Sequence, residues 1–142
     1  MKTSTCKYAQ CLYFTSNALA RKVEKLAIES WKRVDLPPSH GYLLMLVLEE
    51  PGMQPGNIAA QLQLTPSTIT RLIEKLEERK LVVRITEGKI SNVYPTPKAK
   101  ELLPELKACV QDFSEANSKV LGKEETSKLV QGMNKFSDKL SG

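Results

Sequence analysis

Thr65-Pro66-Ser67-Thr68-Ile69-Thr70-Arg71-Leu72-Ile73-Glu74-Lys75-Leu76-Glu77-Glu78-Arg79-Lys80 reads as a helix with a built beginning and a divided surface. Thr65 is a good N-cap, and Pro66 takes the first helical position, where a missing N–H costs nothing. Ile69, Leu72, Ile73 and Leu76 recur at helical spacing and form one apolar stripe. At about 100° per residue, Ser67 and Arg71 point away from that stripe. The first two turns therefore offer solvent hydroxyls and one guanidinium, and the acids wait until Glu74, Glu77 and Glu78. Such an end suits insertion into a DNA major groove. There a helix dipole, backbone N–H groups, hydroxyls and an arginine meet phosphates and base edges. A surface helix with a well-made cap would look the same, so the flanking sequence has to decide.

Upstream, residues 55–62 read as a short helix with Ile58, Ala59 and Leu62 inward, and Gln63-Leu64 is a tight link to Thr65. Two helices so joined are a helix-turn-helix pattern. Downstream the period changes. Residues 81–86 are β-rich, Glu87-Gly88 is a turn, and residues 89–94 are β-rich again. That is a hairpin, with Gly88 where positive φ is needed. A helix-turn-helix followed directly by a basic hairpin is a winged helix, and the order is more specific than either part.

Further out, residues 1–7 are polar and expected to be loose. Residues 8–34 keep a helical period through Leu12, Leu19, Val23, Leu26, Ala27, Trp31 and Val34. Leu36-Pro37-Pro38 ends that helix, because a residue before proline is pushed out of the α region. Ser39 is placed to cap the next helix, which carries Tyr42 and the run 43–48 and is expected to be the most buried. Thr96-Pro97 repeats the cap-plus-proline device and opens a helix to about residue 120, with Pro104 inside it as an expected bend. After Gly122, residues 123–140 carry a stripe of Leu129, Val130, Met133, Phe136 and Leu140.

The expected fold is thus mainly α (α+β): a winged helix-turn-helix with a two-strand wing at 39–96, flanked by dimerisation helices at 1–38 and 97–142. A small winged core cannot cover three further apolar stripes, whereas a second copy would. A two-fold homodimer would present two recognition helices roughly 34 Å apart to a pseudo-palindromic site. The alternative is a monomer whose end helices fold back on the core.

The totals narrow the class. With 142 residues, 41% apolar and 26% charged, the composition is that of an ordinary globular chain rather than a disordered or membrane one. Net charge is +5, and residues 65–100 hold eight Lys/Arg against four Glu, an excess compatible with nucleic acid. No stretch reads as a signal peptide, and the longest apolar run, 43–48, is far too short to span a bilayer. No membrane partner is expected, and the cytoplasm is the expected location. Three cysteines, Cys6, Cys11 and Cys109, argue against a disulfide framework. With one histidine they give no ligand spacing that closes a metal site, and no cofactor is expected. His40 stands alone with no nucleophile–base or paired-carboxylate arrangement, so an enzyme is not expected.

Taken together, the segment Gly56-Asn57-Ile58-Ala59-Ala60-Gln61-Leu62, the run Thr65 to Glu77, Leu81-Val82-Val83-Arg84 and the exit Pro95-Thr96-Pro97-Lys98-Ala99 resemble the MarR family of bacterial transcription regulators. The order of helices fits along nearly the whole chain. The resemblance implies a homodimeric winged-helix binder of double-stranded DNA, often a repressor released by a small-molecule effector or an oxidant. Two departures stand out. Lys80 occupies a position where the family usually has Gly, and Glu87-Gly88-Lys89 replaces the wing's frequent Asp-x-Arg.

On this reading Arg71 is the candidate base reader, for guanine, where a bidentate contact discriminates by about 1–3 kcal/mol. Its alternative is an ion pair with Glu74. Thr65, Ser67, Thr68, Thr70 and Lys75 join it on bases or phosphates. Arg84, Lys89 and Asn92 are candidates on the wing. Regulators of organic hydroperoxide resistance in the same family use a Cys near the first helix with a Tyr nearby, which nominates Cys11 and Tyr42, with His40 beside them, as sensing residues. Cys6 would then be a resolving thiol, and the alternative for Cys11 is a buried apolar filler. A winged helix that binds protein instead of DNA is the competing reading from another class.

Overall fold

The computed structural model describes residues 1–141. Among them are six α-helices and one antiparallel hairpin: α1 Leu12–Ser30, α2 Pro38–Glu49, α3 Pro55–Leu62, α4 Pro66–Glu78, β1 Val82–Glu87, β2 Ile90–Pro95, α5 Pro97–Val120 and α6 Lys123–Leu140. Helix α2 is central and packs against α3, α4, α5 and β2. It buries Leu43, Leu44 and Val47 completely, while Met45, Leu46 and Leu48 are partly buried. The stripe Ile69, Leu72, Ile73 and Leu76 of α4 closes the other side of the same core.

The first helix is shorter than its sequence period suggests. It ends at Ser30, and a one-turn 3-10 helix follows at Lys32–Val34. The Trp31 amide is shared between the carbonyls of Ala27 and Ile28, which tightens the last turn, and Asp35 then leaves in the left-handed region at φ 53°. At the other end the helix begins at Leu12 rather than near Tyr8. Residues 1–7 are less loose than expected, because a 3-10 turn at Thr3–Thr5 is pinned when Lys22 Nζ donates to Thr3 Oγ1 at 2.6 Å.

Ser39 does not cap α2. Pro37 holds the cap position and Pro38 the first helical one, so the N–H that a Ser39 cap would serve is not where the helix starts. The hairpin is one residue later than its sequence pattern, with Glu87 paired to Ile90 and the two-residue loop Gly88-Lys89 between them. Gly88 adopts φ +62°, the conformation a tight hairpin loop asks of its first residue. A bridge between Met53 and Val93 ties the wing's base to the α2–α3 loop. Lys80 stands at φ 61° without glycine's freedom, a strain of about 1–2 kcal/mol. Helix α5 continues through Pro104, which lies on its exposed side.

Trp31 joins the first helix to this core. Its side chain is fully buried, stacks at a tilt on Tyr42 with ring centroids 5.2 Å apart, and lies across Gly41. A Cβ at Gly41 would stand 2.1 Å from Cζ3 of the indole, so only glycine lets α2 and Trp31 come this close. Arg33 then bridges Asp112 at 2.6 Å and Glu105 at 3.5 Å, tying the same joint to α5. Gly41→Ala is expected to destabilise the fold by about 1–3 kcal/mol through overpacking. A urea midpoint that falls with an unchanged m-value checks it, and an unmoved midpoint contradicts it.

Candidate nucleic-acid interface

Helices α3 and α4 meet across Gln63-Leu64. Gln63 takes the left-handed conformation at φ 55° and the Leu64 amide donates to the Ala59 carbonyl at 3.1 Å, so the chain reverses within two residues. Thr65 caps α4 as expected, accepting from the Thr68 amide at 3.3 Å. The Thr65 hydroxyl also donates to Thr68 Oγ1 at 2.9 Å and lies 3.3 Å from Ser67 Oγ. Three hydroxyls are thereby gathered at one helix end, and the first turn holds no acid. Burying the apolar stripe forces this polar face outward.

Arg71 is exposed at that face. It forms no ion pair with Glu74 or with any other acid among the described residues; its one side-chain bond is a long one, 3.4 Å, donated to Thr68 Oγ1. Its guanidinium therefore keeps most of its donors for a partner outside the chain. Thr70 is exposed but its hydroxyl donates back to the Pro66 carbonyl at 3.0 Å, which leaves it only acceptor capacity. Lys75 is exposed on the following turn.

The wing residues are divided. Lys89 sits exposed at the hairpin tip. Arg84 does not face the tip: it reaches back to α4 and pairs with Glu77 at 2.7 Å, both side chains about one-third exposed. Strand alternation puts Arg84 on the same face as the buried Val82, toward α4, so this cation is spent within the protein. Asn92, opposite Ile85, is half-buried. Three residues, 79–81, separate α4 from β1, and the strand lies back along the helix far enough to bring Arg84 to Glu77.

The sensing candidates are not gathered within one chain. Cys11 is exposed at the N-cap of α1, whereas Tyr42 stacks on Trp31 beyond that helix's other end, about 30 Å of helix away. Cys11 is thus not a buried filler. Cys6 is half-buried and contacts Met1 and the Lys2 carbonyl. His40 is half-buried at the start of α2, 3.4 Å from Ser39 Oγ. Burial, and then the nearby charges of Lys75 and Arg79, push its pKa below the usual histidine value. Among the described residues no group of acids, histidines and cysteines is arranged to hold a metal ion, and no helix is long and apolar enough to cross a membrane.

The order of helices and the antiparallel hairpin are those of a winged helix-turn-helix. Residues 34–89 match the model of the MarR family. That match spans 56 of the 142 residues, from the turn after the first helix to the hairpin loop. The chain is 26% identical over 92 residues to the uncharacterized HTH-type transcriptional regulator YybA of Bacillus subtilis (strain 168), a match covering 63% of this chain and 61% of that protein. The transcriptional repressor CouR bound to p-coumaroyl-CoA superposes with a TM-score of 0.83 at 20% identity, over 94% of this chain and 96% of CouR. CouR bound to a 23-mer DNA duplex gives 0.82 at 19% identity, over 96% and 98%. The S. aureus MepR–DNA complex gives 0.78 at 19% identity, over 91% and 97%. At such identities these structures establish a shared fold.

A pH dependence follows from His40, the chain's only histidine. Its folded pKa lies below the unfolded value, so below about pH 6.5 the unfolded chain binds more protons than the native one. Stability should be full above that pH and fall as pH drops from there through the folded pKa. His40→Gln should remove this part of the decline, measured by denaturant midpoints at pH 7.5 and 5.5; an identical decline in the variant contradicts it.

Proposed function

We propose that this chain is a sequence-specific repressor that binds duplex DNA as a homodimer on a pseudo-palindromic operator and is released by a small ligand. The observation that carries the reading is the end of α4. An acid-free cap of three hydroxyls stands beside an exposed arginine that no carboxylate neutralises. Arg71 reads a base edge, Ser67, Thr68 and Thr65 meet bases or phosphates, and Lys75 and Lys89 neutralise backbone charge. Thr70 serves there as an acceptor. The DNA complexes of CouR and MepR, which share the fold, support the same use of it here.

The homodimer rests on unburied apolar surface. Helices α1 and α6 contain no buried residue, although Leu12, Leu19, Val23 and Ile28 of one and Leu129, Val130, Met133, Phe136 and Leu140 of the other are apolar. Between their ends runs an apolar groove of about 670 Å³. A surface this continuous is covered in a working protein, and a second copy offers the same stripes in return. In this scheme residues 39–96 are the reading unit and residues 1–38 and 97–142 hold the pair together. For release, a hollow of about 290 Å³ at the α1–α2 joint, lined by Ile28, Lys32, Asp35, Leu36 and Pro37, offers an apolar floor with a cation at its rim. The p-coumaroyl-CoA complex of CouR supports a ligand-released repressor.

Selection of bound sequences from a random duplex pool tests the reading. The expected product is an inverted repeat with half-sites about 10 base pairs apart, centre to centre. Arg71→Ala should lower affinity for it by roughly ten- to a hundredfold and relax preference at one position in each half-site. Recovery of no sequence, or an Arg71→Ala protein that binds as tightly as the native one, would falsify the proposal.

A further inference from the structure

The trailing end of α4 carries a second device, distinct from the reading surface at its front. Arg79, the residue that closes α4, reaches out of its own helix and donates from Nη1 to the main-chain carbonyl of Asp35. Asp35 closes the rod made by α1 and the 3-10 turn, so Arg79 caps the C-terminal end of that rod with a positive charge. The trailing end of α4 is capped in turn from α5. Lys98 Nζ donates to the Arg79 carbonyl at 3.0 Å, and Thr96 Oγ1 donates to the Lys80 carbonyl at 2.8 Å. The Thr96 amide completes the set at the Leu81 carbonyl, 3.0 Å away. Cations from successive elements thus close the ends of the preceding ones, and all the bonds converge on residues 79–81.

We infer that Arg79 is a positioning residue for DNA binding: by holding the Asp35 carbonyl it fixes each reading helix relative to α1, and so fixes the distance between the two reading helices of the pair. The inference rests on the dimeric DNA-binding reading above. Arg79 lies twelve residues past Ser67, about 18 Å along the helix from the reading end, and acts through the linker rather than at the groove. The acceptor is the carbonyl and not the carboxylate. The Asp35 side chain is almost wholly in solvent and its oxygen lies 4.0 Å from Nη2, a separation at which an exposed pair contributes little. Without Arg79 the end of the α1 rod loses its cap, and the joint at residues 31–37 keeps the packing of Trp31, Val34 and Leu36 and the ion pairs of Arg33 but no tie to α4 through Asp35. Two reading helices that no longer keep a fixed spacing still bind one half-site each, but not both at once.

The test uses the inverted-repeat duplex selected by the native protein, and the same duplex with one half-site scrambled. Arg79→Ala should bind the inverted repeat about tenfold more weakly, while affinity for the single half-site changes less than twofold. The slope of log affinity against log salt should stay at the native value, because no phosphate contact is lost. Asp35→Asn, which tolerates the left-handed backbone and keeps the carbonyl, should bind like the native chain. A thermal midpoint is recorded for each variant; should Arg79→Ala fail to fold, Arg79→Lys is read in the same assay and should show a smaller loss confined to the inverted repeat. Equal losses on both duplexes with a salt slope shallower by about 0.9 would make Arg79 a phosphate contact and overturn the inference. So would native binding by Arg79→Ala, or an Asp35→Asn protein as weak as Arg79→Ala. A native protein that selects no duplex, or an Arg71→Ala protein that binds undiminished, overturns the DNA reading itself and the role of Arg79 with it.

Discussion

Four side chains, Ile69, Leu72, Ile73 and Leu76, fix how α4 lies on the molecule, and nearly everything functional depends on them. All four are buried against α2 and its neighbours. A helix anchored along one stripe has no freedom to roll, so its opposite face is set by arithmetic. Ser67 and Arg71 are outward because the stripe is inward. Removing these side chains from water contributes about 1.5–3 kcal/mol each. The hydroxyls at the helix end contribute far less to stability, yet they are what the anchoring puts on display.

The ends of the chain answer to a different constraint. The winged portion has a closed core, whereas α1 and α6 keep their apolar faces in solvent. Each carries a continuous apolar stripe along most of its length. The first helix joins the rest where Trp31, Val34 and Leu36 enter the core, through its packing on α5, and through the bonds of Arg33 to α5 and of Arg79 to Asp35. The joint lies next to the end of α4.

Local chemistry is legible in the sequence itself. Thr65 and Thr96 cap their helices, Gly88 turns the hairpin, and α3 and α6 have the bounds that their periodicity gives. Each of these is decided within a few residues. The features that differ are decided by partners in other elements or by a competing local signal. Apolar period carries no signal that the Trp31 turn will tighten, because the tightening accompanies a ring laid across Gly41. Arg84 looked like a wing contact because its partner, Glu77, belongs to another element. Ser39 has a good capping side chain, but two prolines had already set where the helix starts. At the candidate site, the acid-free hydroxyl cap of α4 with Arg71 beside it is visible in sequence and the Arg79 to Asp35 bond, spanning 44 residues, is not.

Trp31 is the only tryptophan of the chain, and its indole N–H is buried without a hydrogen-bond partner. Its ring lies where the first helix joins the core, in contact with Tyr42 and Gly41. The molecule accordingly carries a native fluorophore at its hinge. A dry indole emits at shorter wavelength than a wet one, so any rearrangement that admits solvent to this joint announces itself in the protein's own emission, with no dye attached.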